Sequence, residues 1–301
     1  MKRRPFTPIL AFSLSLLVCP SFLHAQTITF EILATLAYPG ALTTIAHGIN
    51  DEGDVVGEIL LPFHGFPNGF VRTNDTFSLP IIFPGSEVSA TIATAINNEG
   101  TVAGWYSDTQ GISHGFFLAD GVYTSYDHPS AVFSTKITGI NDAGDFVGTY
   151  SATEGIFIAF ASVGGKLRQI TLPRVNSTEP ADISNSGDIV GTGRTISMTA
   201  GFRREKRGRL QFPLQRERGN GTYFFGTNEA KETVGQENGA LGLYFDGGTA
   251  YATYAKPGLI NNAFTGINSQ GVICGYGFDS IQRILYSYLV QRVITGTQES
   301  P

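Results

Sequence analysis

Four histidines, one cysteine and a recurring run of Asn and Asp are the residues beyond position 25 whose types could support chemistry. Acyl transfer needs a Ser or Cys nucleophile beside a His base. His47, His64, His114 and His128 stand in no Gly-x-Ser-x-Gly elbow, so they read as turn and rim residues. No two of His47, His64 and His114 have the close spacing of zinc ligands. Cys274 lies in the apolar run Val272-Ile273-Cys274 and reads as a buried, inert thiol. The oxygen-rich sets Asn50, Asp51, Asp54 and Asn141, Asp142, Asp145 suit calcium. Against that, Asn97-Asn98-Glu99-Gly100-Thr101 and Asn268-Ser269-Gln270-Gly271-Val272 keep the pattern but lose those carboxylates, and no EF-hand spacing is present. Sugar cleavage would need paired carboxylates, and the aspartate box Ser-x-Asp-x-Gly-x-x-Trp does not occur. No catalytic, cofactor or metal residue is assigned.

Two features suit ligand docking. Trp105, the only tryptophan, and Tyr106 could stack on a sugar ring, although the equivalent pairs Thr149-Tyr150 and Tyr276-Gly277 point to an ordinary strand position. Arg203, Arg204, Lys206, Arg207, Arg209, Arg216 and Arg218 concentrate positive charge within sixteen positions of an acidic chain. Such a field would hold an anionic glycan, a headgroup or a protein, or else protect an outer hairpin from edge pairing.

A ten-residue repeat must position all of these. Its fullest form, Gly-Ile-Asn-Asp-x-Gly-x-Val-Val-Gly, begins at Gly48, Ala95, Gly139, Asp182, Gly226 and Gly266, at intervals of 47, 44, 43, 44 and 40 residues. Asn and Asp bond their own backbone two residues on, and the following Gly accepts a positive φ, so the motif closes a hairpin. Asn50, Asp51, Gly53, Asn97, Gly100, Asn141, Asp142, Gly144, Asn185, Gly187, Asn228, Asn268 and Gly271 are therefore read as structural turn residues. Lys231 replaces the turn glycine in the fifth copy.

Each interval holds four short strand runs, such as Thr135 to Asn141, Asp145 to Tyr150, His114 to Leu118 and Val122 to Tyr126. Four-stranded repeats of this period predict an all-β six-bladed β-propeller. The sixth copy runs out before its fourth strand, whereas Thr27 to Leu36 resembles that strand. The expectation is that the N-terminal strand pairs with the last blade and closes the ring, hiding an exposed edge.

The Gly-Ile-Asn-Asp-x-Gly-x-Val-Val-Gly pattern with His114-Gly115-Phe116 resembles the bacterial extracellular HAF repeat family, named for a His-Ala-Phe triplet. The likeness spans essentially all of the chain after its leader, but only His114 matches the histidine in register. The resemblance implies a secreted or surface protein with no established catalytic residues to carry over.

Lys2, Arg3 and Arg4, the apolar run Ile9 to Val18 and Leu23-His24-Ala25 read as a signal peptide over 1–25, cleaved before Gln26. The expected domains are that leader and a single propeller over 26–301, placed outside the cytoplasm, secreted, periplasmic or at the cell surface. Without the leader the chain has 17 basic and 25 acidic residues, a net charge of −8, a poor match for nucleic acid. No later segment is apolar enough to span a membrane as a helix. The chain is expected to act as a monomeric, noncatalytic binding module for an extracellular glycan or protein, without cofactors. The rival readings are a polysaccharide hydrolase or lyase at a channel mouth and a structural surface component.

Overall fold

The structure, a computed structural model, describes residues 27–85, 88–215 and 221–295. The leader expected over 1–25, its expected cleavage site, and Arg216 and Arg218 of the basic run lie outside the described residues.

All regular structure is β. The chain opens with β1 (Thr27–Leu36). The first unit follows as β2 (Thr43–Ile49), β3 (Val55–Leu60), β4 (Asn68–Thr73) and β5 (Thr76–Phe77). The second is β6 (Val88–Ile96), β7 (Val102–Asp108), β8 (Ser113–Ala119) and β9 (Val122–Tyr126). The third is β10 (Ser134–Ile140), β11 (Phe146–Thr153), β12 (Ile156–Val163) and β13 (Lys166–Gln169). The fourth is β14 (Ser177–Ile183), β15 (Ile189–Arg194), β16 (Thr199–Arg204) and β17 (Leu210–Leu214). The fifth is β18 (Thr222–Thr227), β19 (Thr233–Glu237), β20 (Leu241–Phe245) and β21 (Tyr251–Tyr254). The sixth is β22 (Ile260–Ile267), β23 (Val272–Asp279) and β24 (Ile284–Thr295).

Within each unit the strands pair antiparallel in chain order, as short connections favour. Units two and three join in one eight-stranded sheet through the single parallel bridge Ser134↔Ser113. The fourth strand of the last sheet is β1, antiparallel to β24 from Thr27↔Thr295 to Leu36↔Ser287. Phe30 of β1 packs its ring against Tyr244, Tyr254 and Phe264, with centroids 6.1, 5.5 and 5.1 Å away. Apolar clusters then fill the space between sheets that pack against each other. One joins Leu36, Ile49 and Phe70 to Cys274 and Leu289, and another joins Val147, Ala159 and Ile170 to Ile183 and Phe202.

The repeat has a precise steric cause. In every unit the first strand carries a β-bulge against the second, at His47, Thr94, Thr138, Ala181, Phe225 and Thr265. A bulge re-aims one side chain and bends the strand. It also drives the carbonyl two residues before the bulge against the last glycine of the motif. A Cβ at Gly57, Gly104, Gly148, Gly191, Gly235 or Gly275 would lie 1.8 to 2.3 Å from that oxygen. None of these six has a positive φ, so contact and not backbone freedom requires the glycine. The turn glycines differ, since Gly53, Gly100, Gly144, Gly187 and Gly271 have φ between 74° and 84°. Lys231, in the fifth turn, adopts the same geometry at 64°. Among the described residues no helix is long and apolar enough to cross a membrane.

Candidate functional site

The six bulged residues form a waist between two cavities. The narrow one, about 90 Å3, is lined by the motif turns of all six copies. The wide one, about 600 Å3, opens on the other side of the same waist.

The narrow end is filled by repeating hydrogen bonds. The Asn50 amide donates to the Asn97 carbonyl at 3.1 Å, Asn97 to Asn141 at 3.2 Å and Asn141 to Ser184 at 3.0 Å. Asn228 donates to Asn268 at 3.0 Å, and Asn268 returns to Asn50 at 3.1 Å. Outside this ring Asp51, Asn98, Asp142, Asn185 and Glu229 cap the N–H groups of neighbouring turns; the Asn98 side-chain Oδ1 accepts from Asp51 N at 2.8 Å, for example. The turn polar groups are thus engaged by one another, which suits a structural role and leaves little free for a ligand.

The fourth copy breaks the ring, because Ser184 has no amide to reach the next unit. Asp182, at the position of Gly48, Gly139 and Gly226, supplies the link. Its Oδ2 accepts Thr227 N at 2.9 Å and its Oδ1 accepts Ile183 N at 2.8 Å. Burial pushes the carboxyl up to about 6, and Glu229 adds to the rise, while the two N–H donors oppose it.

At the wide end the copies differ. The residue two before the bulge is Ile45, Ile92, Lys136, Glu179, Tyr223 or Ala263, and the residue after the close-contact glycine is Glu58, Trp105, Thr149, Thr192, Gln236 or Tyr276. Lys136, Glu179, Tyr223, Phe225 and Tyr276 line the wide cavity. Lys136 Nζ lies 3.6 Å from the centroid of the Trp105 ring, and burial holds the ammonium below the usual lysine value. Glu179 is paired with Arg194 Nη2 at 2.9 Å and accepts Ser177 Oγ at 3.2 Å. His47 Nε2 faces Glu58 at 3.8 Å.

Several loops around this end carry exposed apolar residues. Phe63, Ile196 and Ile281 tip the second turns of three units, Leu79 and Val132 lie between units, and all five are exposed. The opposite end carries Asp51, Glu52, Glu99, Asp142 and Glu229 in its turns.

The structure separates the sequence-based docking residues. Arg203 is 1% exposed and turned inward, donating to Lys231 O and Thr233 Oγ1 with its guanidinium 5.7 Å from the Phe245 ring centroid. It ties unit four to unit five and has no surface to offer an anion. Arg204 is half-buried on β16, and Lys206, Arg207 and Arg209 are exposed at the hairpin tip, where Glu205 lies 3.8 Å from Arg209 and 3.3 Å from Lys231. Tyr106 stacks on Phe83 (3.8 Å) and His114 (5.0 Å), which makes it a packing residue of unit two. Trp105 backs Lys136.

Among the other reactive groups, the exposed His64 lies in the loop between β3 and β4. His114 pairs with Asp127 at 3.0 Å, and His128 stacks on Tyr150 at 3.7 Å. The buried Cys274 thiol is pushed up to about 11. Sequence reading missed Lys136, Glu179 and Tyr223, which form no linear motif. Their signal was divergence at one register position among six otherwise similar strands.

No protein-family model and no curated protein matches the chain. Solved structures do. The β-propeller domain of the Trilobed protease from Pyrococcus furiosus superposes with a TM-score of 0.51 at 10% identity, covering 86% of each chain. A protein proposed to be a gluconolactonase gives 0.53 at 11% identity over 90% of this chain and 94% of that one. TolB from Acinetobacter baumannii gives 0.52 at 12% identity over 80% and 66%.

The fold is that of a β-propeller. Propeller geometry explains why similar strands yield two unlike mouths. Radial repetition sends the same turn to the same end of every unit, so structural bonding gathers at one mouth and variation at the other.

Proposed function

We propose that this propeller has six blades, closed into a ring by β1, and is an exported, noncatalytic binding module that seats an extracellular glycan or protein at its wide mouth. Support for closure comes from three bonds that join the last copy to the first. They are Asn268 to Asn50, Ser269 N to Asp51 at 2.7 Å, and Thr265 Oγ1 to the Ala46 carbonyl at 2.9 Å. The leader over 1–25 and the HAF-like repeat support export, which recovery of the protein with Gln26 as its first residue would test.

The observation that carries the binding reading is the contrast between mouths. The six copies agree where side chains bond one another, and diverge into aromatic, cationic and acidic groups around a cavity of about 600 Å3. A pocket of that size, with aromatic rings set among hydroxyl and charged side chains, suits a small ligand or the end of a polymer. The test is a screen of extracellular polysaccharides and proteins for both binding and turnover. The expected outcome is binding that falls on Tyr223→Ala without a change in melting temperature, and no product. Product formation would favour the hydrolase or lyase instead.

A further inference from the structure

Lys136 is the unusual cation of the wide mouth. It is half-buried, and among the described residues no carboxylate lies within ion-pairing distance of it. Among the described residues its close electrostatic partner is the face of Trp105, a contact that holds the ammonium in place without neutralising it. The neighbouring Glu179 is already balanced by Arg194 at 2.9 Å, and His47 faces Glu58. The cavity thus holds a positioned, partly desolvated positive charge whose remaining hydration an entering anion would replace.

The rest of the lining says what body that anion would have. Tyr223 and Tyr276 bring both ring area and hydroxyls, and Thr149, directly across the strand pair from Lys136, brings another hydroxyl. An aromatic face beside hydroxyl groups suits a ring with C–H on one side and O–H at its edge. Resting on the binding reading above, we propose that the wide mouth takes a carboxylate-bearing sugar, with its carboxylate on Lys136 and its ring against Tyr223. A charge-assisted bond in a desolvated site is the strongest single contact such a ligand can make there.

Calorimetric titration with trigalacturonate, its methyl ester and neutral xylotriose tests this. Wild-type protein is expected to bind trigalacturonate at least ten-fold more tightly than the ester or xylotriose. Lys136→Met should lose that preference, and Lys136→Arg should keep part of it. To separate loss of charge from loss of packing, the melting temperature of Lys136→Met is measured, and the wild-type Lys136 side-chain resonances are followed by NMR, where trigalacturonate should shift them. Equal binding of acid and ester, unchanged binding by Lys136→Met, or unmoved Lys136 resonances overturns the proposal. Binding of xylotriose without trigalacturonate overturns it too, but leaves the binding module intact. Failure of all three sugars overturns it as well, and the polymer and protein screen then decides the broader reading.

Discussion

Asp182 Oδ2 accepts the backbone N–H of Thr227 at 2.9 Å, joining the fourth unit to the fifth where Ser184 cannot extend the asparagine ring. Two departures from the motif, Asp for Gly and Ser for Asn, thus compensate for each other across one interface. The replacement introduces a titratable group that the asparagine links lack.

That group makes stability depend on pH. Its folded value is raised from 3.8 to about 6, so the folded state prefers the protonated carboxyl. The contribution is fully present below about pH 4, is lost as pH rises toward 6, and is flat above that, with a total of roughly 3 kcal/mol. Denaturant unfolding of wild type and Asp182→Asn should show a stability difference that changes between pH 4 and 6. A constant difference would mean that the group titrates normally.

Two glycine classes should respond differently to alanine. At Gly148 a Cβ would lie 2.1 Å from the Lys136 carbonyl oxygen, and Gly148→Ala is expected to cost about 3 kcal/mol or more. At Gly144 nothing lies within 4 Å and only φ of 74° opposes a side chain, so Gly144→Ala should cost about 1 kcal/mol. Urea midpoints at constant slope measure both.

Lys231 offers the reverse experiment. It holds a left-handed turn at φ 64°, and its ammonium, 3.3 Å from Glu205, is about half exposed. Exposed pairs contribute little. Lys231→Gly is therefore expected to raise stability by about 0.5 kcal/mol in thermal unfolding, and a loss would show that the ion pairs outweigh backbone strain.

Removing residues 27–36 strips the outer strand from the last sheet and the Phe30 ring from its cluster with Tyr244, Tyr254 and Phe264. The protein without them should lose cooperative melting altogether. An unchanged transition would refute closure of the ring by β1.

The repeat fixed the all-β class, the antiparallel order of each unit and the turn residues in advance, because short hairpins are local and their Asn, Asp and Gly requirements recur at a readable period. Thr27–Leu36 was legible for a similar reason: a missing fourth strand at one end matched a spare strand at the other. What sequence left dark was which side chains converge. Arg203 belonged by sequence to a surface charge cluster, yet the strand directs it inward to Lys231 and Thr233. Lys136, Glu179 and Tyr223 are each separated by more than forty positions, and only the side-by-side packing of inner strands brings them to one cavity. Local turn chemistry is written in neighbouring residues, whereas a site assembled from one residue per unit exists only once tertiary packing has aligned the units.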